Sequence, residues 1–151
     1  MKKTMMVSLC ALILVTTTFA SSLETVVKTA TDYMKAEGYV TEKVHEDGDF
    51  KFKKEGLTYR ISFDSKEPLY VSIQLSFVTG YSGEKLVRAQ IAANETMRKI
   101  KGVKVLLDSD NDVLLTADFF MVSADNFGPL FSRYITTLPA ARKRFFDQID
   151  K

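Results

Sequence analysis

The sequence predicts a single α+β domain of order α-βββ-α-ββ-α, an antiparallel sheet with helices packed on it. Three observations lead there. Apolar residues recur at three- and four-residue spacing in three segments, they alternate singly in the segments between, and Asp-Gly and Glu-Gly pairs punctuate the alternating parts. A chain of 151 residues, 46% hydrophobic and 26% charged, fits one globular domain with one core. No repeat, linker or low-complexity segment interrupts it after the first twenty residues.

Those twenty residues read as an export signal, not as part of the domain. Lys2 and Lys3 make a positive start, residues 5–15 an uncharged apolar run, and residues 16–21 a stretch of mostly small residues, with cleavage expected between Ala20 and Ser21. The run is too short for a spanning helix, which needs about 20 apolar residues. The domain is therefore expected over 21–151, in the periplasm or secreted, with no stable membrane insertion after signal removal. Cys10, the sole cysteine, lies inside the apolar run, and the bulky Leu9 before it argues against a lipidation box. The mature chain then has no disulfide, no thiolate zinc ligand and no cysteine nucleophile. Removing Lys2 and Lys3 leaves 19 basic residues against 19 acidic ones. That balance supplies no general field for nucleic acid.

Each element has its own signal. Leu23, Val26, Val27, Ala30, Tyr33 and Met34 share one helical face, opened at Ser21 or Ser22 and closed by Gly38. A strand over 40–46 leads to Asp47-Gly48, a hairpin pair, and Phe50 and Phe52 alternate with Lys51 and Lys53 in the return. After Glu55-Gly56, residues 57–63 place Leu57, Tyr59, Ile61 and Phe63 on one side. Residues 69–77 place Leu69, Val71, Ile73, Leu75 and Phe77 on the core side and Tyr70, Ser72, Gln74 and Ser76 on the other, so one sheet face is covered and one is wetter.

A second helix is expected from Ser82 to about Ile100, with Leu86, Val87, Ile91 and Met97 as its apolar stripe and Gly102 just beyond. Strands over 103–107 and 113–117 follow. Val103, Val105, Leu107, Val113, Leu115 and Ala117 can line one face while Leu106 and Leu114 occupy the other, so this hairpin is apolar on both sides and needs a helix or another chain to cover it. The last helix starts at Ser123 or Asn126 and carries Phe127, Leu130, Phe131, Tyr134, Ile135, Leu138, Phe145, Phe146 and Ile149 at helical spacing. Pro129 suits its first turn. Pro139 is expected to kink or split it.

Glu37-Gly38-Tyr39, the Asp47-Gly48 hairpin, Leu57-Thr58-Tyr59-Arg60-Ile61, and Asn94 ahead of Val105-Leu106-Leu107-Asp108 together resemble the YbjN-type family, described as bacterial sensory transduction regulators. The family is similar in fold to type III secretion chaperones, and the resemblance runs over roughly residues 23–146. The family's second asparagine position is Met97 here. The resemblance implies a type III secretion chaperone-like fold and a small domain that binds protein, as a homodimer through the second helix and neighbouring strand.

No catalytic constellation stands out. Asp108, Asp110 and Asp112 match the first ligands of a calcium loop, but Val113 stands where the loop needs glycine and Phe119 where it needs a bidentate glutamate. A polar turn accounts for the whole stretch. His45 is the sole histidine and reads as a surface residue. Ser62 and Ser72 lack a glycine-rich elbow, and Gly80-Tyr81-Ser82-Gly83 lacks the phosphate-binding lysine. Asp64, Glu67 and Asp118 are the carboxylates a small hydrolase would bring together, with raised pKa values. Arg142, Lys143 and Arg144 read as a solvated helix face. Candidate interface residues are Arg60, Tyr70 and Gln74 on the polar sheet side, Leu106 and Leu114 on the hairpin, and Phe119 and Phe120, which as neighbours in an extended chain cannot point the same way. The expected function is non-enzymatic protein binding with no cofactor, a small carboxylate- or cation-dependent periplasmic hydrolase being the alternative.

Overall fold

A computed structural model describes residues 22–44 and 48–150. Ala20, Ser21, Cys10 and His45 lie outside them, as do the other residues read above as an export signal and Asp47 of the expected hairpin. The chain forms α1 (Leu23–Ala36), β1 (Thr41–Lys43), β2 (Phe50–Lys54), β3 (Leu57–Phe63), β4 (Tyr70–Phe77), α2 (Gly83–Lys99), β5 (Lys104–Leu107), β6 (Val113–Phe120), a 3-10 turn (Ala124–Asn126) and α3 (Phe127–Ile149). Four strands precede α2, matching the four segments read individually as strands and one more than the order α-βββ-α-ββ-α counts. The strands make one antiparallel sheet ordered β1-β2-β3-β4-β6-β5, so α2 separates β4 from its partner β6 and β5 ends up at the edge.

The period-two pattern builds a two-layer molecule. Phe50, Phe52, Tyr59, Ile61, Val71, Ile73, Leu75, Val105, Val113, Leu115 and Ala117 point to the helical side and are buried there. The helices meet this layer through aromatic contacts: Phe52 against Phe131 at 5.6 Å, Phe77 against Phe146 at 5.3 Å, and Phe119 stacked on Tyr134 at 5.1 Å between ring centroids. Burial on this scale, at roughly 25 cal/mol for each Å² of apolar surface, is the main force holding helices to sheet.

Local signals set the element ends. The Ser22 hydroxyl accepts a hydrogen bond from the Thr25 N–H at 3.2 Å, capping α1. Gly38, at φ +81°, lets the chain leave that helix while Tyr39 N–H bonds back to the Met34 carbonyl. Gly128 of α3 lies against Tyr33 of α1, and a Cβ there would lie 2.5 Å from the Tyr33 ring.

Several boundaries and faces differ from the sequence expectation. β1 spans three residues, and Val40 ahead of it is exposed. On α2, Val87 and Ile91 face solvent, whereas Ala89, Ala92, Ala93 and Thr96 are buried. The reason is the neighbourhood: α2 packs against both α3 and β5, and a face of small side chains permits close approach. β6 runs on to Phe120, three residues past the expected end. Pro139 does not split the last helix, which continues from Phe127 to Ile149. Its missing N–H costs one intrahelical bond, and burial of Ile135, Leu138, Ala141 and Phe145 around it offsets that loss.

Candidate interaction face

Strand pairing places the polar side chains of the sheet in cross-strand rows on the face opposite the helices. One row reads Glu42, Lys51, Arg60, Gln74, Thr116, Lys104, from β1 across to β5. On one side of it lies Ser62, Ser72, Asp118, then Tyr70 beside Phe120. On its other side Ser76, Leu114 and Leu106 are paired in turn. Neighbouring strands are about 4.8 Å apart, so the long row crosses roughly 24 Å of sheet.

Six of the seven candidate interface residues therefore share this face. Arg60 pairs directly with Gln74, Tyr70 with Phe120, and Leu106 with Leu114. Phe120 is 66% exposed and Leu106 45% exposed, and the Tyr70 and Phe120 rings lie 5.0 Å apart. Phe119 is the exception and a correction to the sequence reading. Strand alternation turns it to the helical side, where it is buried against Tyr134.

Two ion pairs organise the polar centre. Asp49, buried and absent from the sequence-derived candidates, lies immediately before β2. One of its carboxylate oxygens accepts from the Phe63 N–H at 3.1 Å, the other from Arg60 Nε at 3.1 Å and Nη2 at 2.5 Å. Asp118 accepts from the Ser72 hydroxyl at 2.6 Å and the Thr116 hydroxyl at 3.3 Å, and pairs with Lys104 Nζ at 2.8 Å. Burial opposes the Asp118 charge. The Lys104 and Ser72 hydrogen bonds, the Lys104 charge and Thr116 outweigh it, so the carboxyl sits below its ordinary range. The same pair raises the Lys104 pKa, through the hydrogen bond and then the charge of Asp118. The Tyr70 hydroxyl is pushed up by burial and by the nearby Asp118 charge.

The remaining candidates have structural roles. Asp108 Oδ1 accepts the Asp110 and Asp112 N–H groups, each at 2.9 Å, while Asp112 Oδ1 accepts those of Thr79 at 2.7 Å and Gly80 at 2.9 Å. The segment is a turn in which Asn111 takes φ +60°, and its carboxylates bind its own backbone and the β4–α2 connection. Asp64 Oδ1 accepts from the Lys66 and Glu67 N–H groups, and these two bonds hold its carboxyl below the usual range. Asp64 and Asp118 thus lack the raised pKa of a general acid. Arg142 lies over the Phe77 and Phe146 rings at 5.3 and 5.6 Å, and Lys143 pairs with Asp147 at 2.5 Å. Among the described residues no helix is long and apolar enough to cross a membrane, and no cluster of three His, Cys, Asp or Glu could hold a metal ion.

The fold defines a two-layer α+β domain with helices on one side of an antiparallel sheet. It is similar to a solved structure, that of an uncharacterized protein from Methanothermobacter thermautotrophicus, with a TM-score of 0.52 and 15% sequence identity over 80% of this chain and 99% of that one. No family model and no curated protein matches the chain.

Proposed function

We propose that this chain is an exported, non-enzymatic protein-binding domain, chaperone-like or regulatory in the manner of the YbjN-type proteins it resembles, acting in the periplasm or after secretion. One observation carries the reading. Arg60, Tyr70, Gln74, Leu106, Leu114 and Phe120 lie on one sheet face where large apolar side chains remain exposed beside a satisfied polar centre. Exposed apolar groups of this kind mark interaction surfaces in folded proteins. The edge position of β5 adds unpaired backbone groups beside Leu106, a natural place for a second copy to join the sheet. The hydrolase alternative draws no support from Asp64 and Asp118, whose carboxyls are held down by hydrogen bonds already in place.

Sedimentation velocity and quantitative co-purification of three proteins, the wild type, Leu106→Glu and Asp110→Ala, test the reading. Leu106→Glu is expected to abolish association with a partner or a second copy, because it sets a charge in the pair that exposed Leu106 makes with Leu114, which association would cover. Asp110→Ala should behave as wild type, since its side chain lies in the exposed turn. Unchanged association in Leu106→Glu would contradict the reading.

A further inference from the structure

We infer that the occupant of the open sheet face is an acidic polypeptide segment carrying apolar side chains, an inference that rests on the reading of that face as a binding surface. The argument is the layering of charge. Arg60 is 36% exposed above an Asp49 side chain that is 4% exposed, and Lys104 is 60% exposed above an Asp118 side chain that is 13% exposed. In both pairs the cation is outermost and the carboxylate faces inward, its oxygens engaged by Phe63, Ser72 and Thr116.

Lys51 and Lys53 extend the outer cationic layer on β2; both are exposed and alternate with the buried Phe50 and Phe52. Across the strands Lys51 meets Glu42 on one side and Arg60 on the other, and Lys53 meets Thr58. The outermost charges are thus Lys51, Lys53, Arg60 and Lys104, with Glu42 beside Lys51 and with Asp49 and Asp118 paired beneath Arg60 and Lys104. The bias lies in the layering, cations outside carboxylates, since residues 21–151 as a whole carry equal numbers of basic and acidic side chains.

Cations and apolar groups adjoin on this face. The row holding Lys51, Arg60 and Lys104 runs beside Leu114 and Leu106, and on its other side Tyr70 and Phe120 follow beyond the Ser72 and Asp118 row. A segment laid across the strands can set carboxylates over the row and apolar side chains on the flanking pairs. A second copy presents the same cationic row, so face-to-face pairing would bring like charges together, leaving β5 as the place for self-association. An anionic lipid surface fits less well. The most exposed apolar residues, Val78 beyond β4 and Val122 beyond β6, follow antiparallel strands and so lie at opposite ends of the sheet instead of forming one inserting tip.

The test is an NMR titration of the isotopically labelled protein, isolated from cells expressing the full chain. Three probes are used: a short soluble peptide of Glu, Leu and Ser, the same peptide with Lys replacing Glu, and phosphatidylglycerol vesicles. The acidic peptide is expected to shift the amides of Lys51, Arg60, Gln74, Thr116 and Lys104. The Lys51→Glu, Lys53→Glu double variant should weaken it about tenfold, as should raised salt. Equal binding of the basic peptide on the same face would overturn the acidic assignment and leave the face as a binding surface. Binding by vesicles with no response to the acidic peptide would overturn it in favour of lipid. If none of the probes perturbs the face and Leu106→Glu also leaves association intact, both this inference and the reading beneath it fail.

Discussion

Replacing Arg60 by Met would expose the energetics of the polar centre most sharply. The substitution keeps an unbranched apolar stem over the sheet and removes the guanidinium that bonds Asp49 through Nε and Nη2. What remains is a carboxylate whose side chain is 4% exposed and which keeps the Phe63 N–H at 3.1 Å as its described partner. Breaking a fully buried pair costs roughly 3–5 kcal/mol. Arg60 is about a third exposed, so water reaches its side of the gap and the cost falls to about 2 kcal/mol. Adding Asp49→Asn should then recover about 1 kcal/mol, because the amide oxygen can still accept from Phe63 while the stranded charge is gone. The chain has no tryptophan, so urea unfolding is best followed by far-ultraviolet circular dichroism, with an unchanged m-value confirming comparable transitions. An Arg60→Met protein within about 0.5 kcal/mol of wild type, or a double variant less stable than the single one, would refute this account of the centre.

Three further outcomes are expected. Gly128→Ala should lower stability by about 1–2 kcal/mol despite alanine's better helix propensity, because its Cβ would lie 2.5 Å from the Tyr33 ring; a stabilised variant in thermal unfolding would show that α1 and α3 part easily. Thr96→Val should stabilise by about 1 kcal/mol, since the buried Thr96 hydroxyl has no described hydrogen-bond partner; a loss in urea unfolding would mean that the hydroxyl is satisfied. For Asp118 the folded pKa is depressed, so its contribution is fully present above the ordinary carboxylate value of about 4 and is lost as pH falls through the lower folded value. Melting temperature between neutral and strongly acidic pH should accordingly fall less steeply in Asp118→Asn than in wild type, and parallel curves would contradict the assignment.

The strands were legible because one face of the sheet is buried and the other is not. Along β4 the alternation of Val71, Ile73 and Leu75 with Ser72, Gln74 and Ser76 gives both the element and its orientation. The same rule separates Phe119 from Phe120, but choosing which one meets the helices requires knowing that β6 continues beyond Ala117. The buried face of α2 was misread because its alanines give little hydrophobic contrast against Val87 and Ile91, which are more apolar yet exposed. Propensity carries no information about how close α3 lies.

The interaction face was legible as separate pieces. Arg60, Tyr70 and Gln74 follow from alternation within β3 and β4, and Leu106 and Leu114 from the hairpin. Their union depends on β4 pairing with β6 across the intervening α2, a non-local register that local spacing does not encode. The same pairing brings Ser72 to Asp118. Asp49 gave no sequence signal, since an aspartate after a glycine reads first as part of a turn, and its burial follows from the return of β3 alongside β2.

Native mass spectrometry would test the central claim most directly, on wild type and Leu106→Glu protein isolated without refolding from cells expressing the full chain. The account expects wild type to carry the mass of an added polypeptide or a second copy, and Leu106→Glu to appear as a single chain. A bare single chain in both samples, or an equal complex in both, would contradict it.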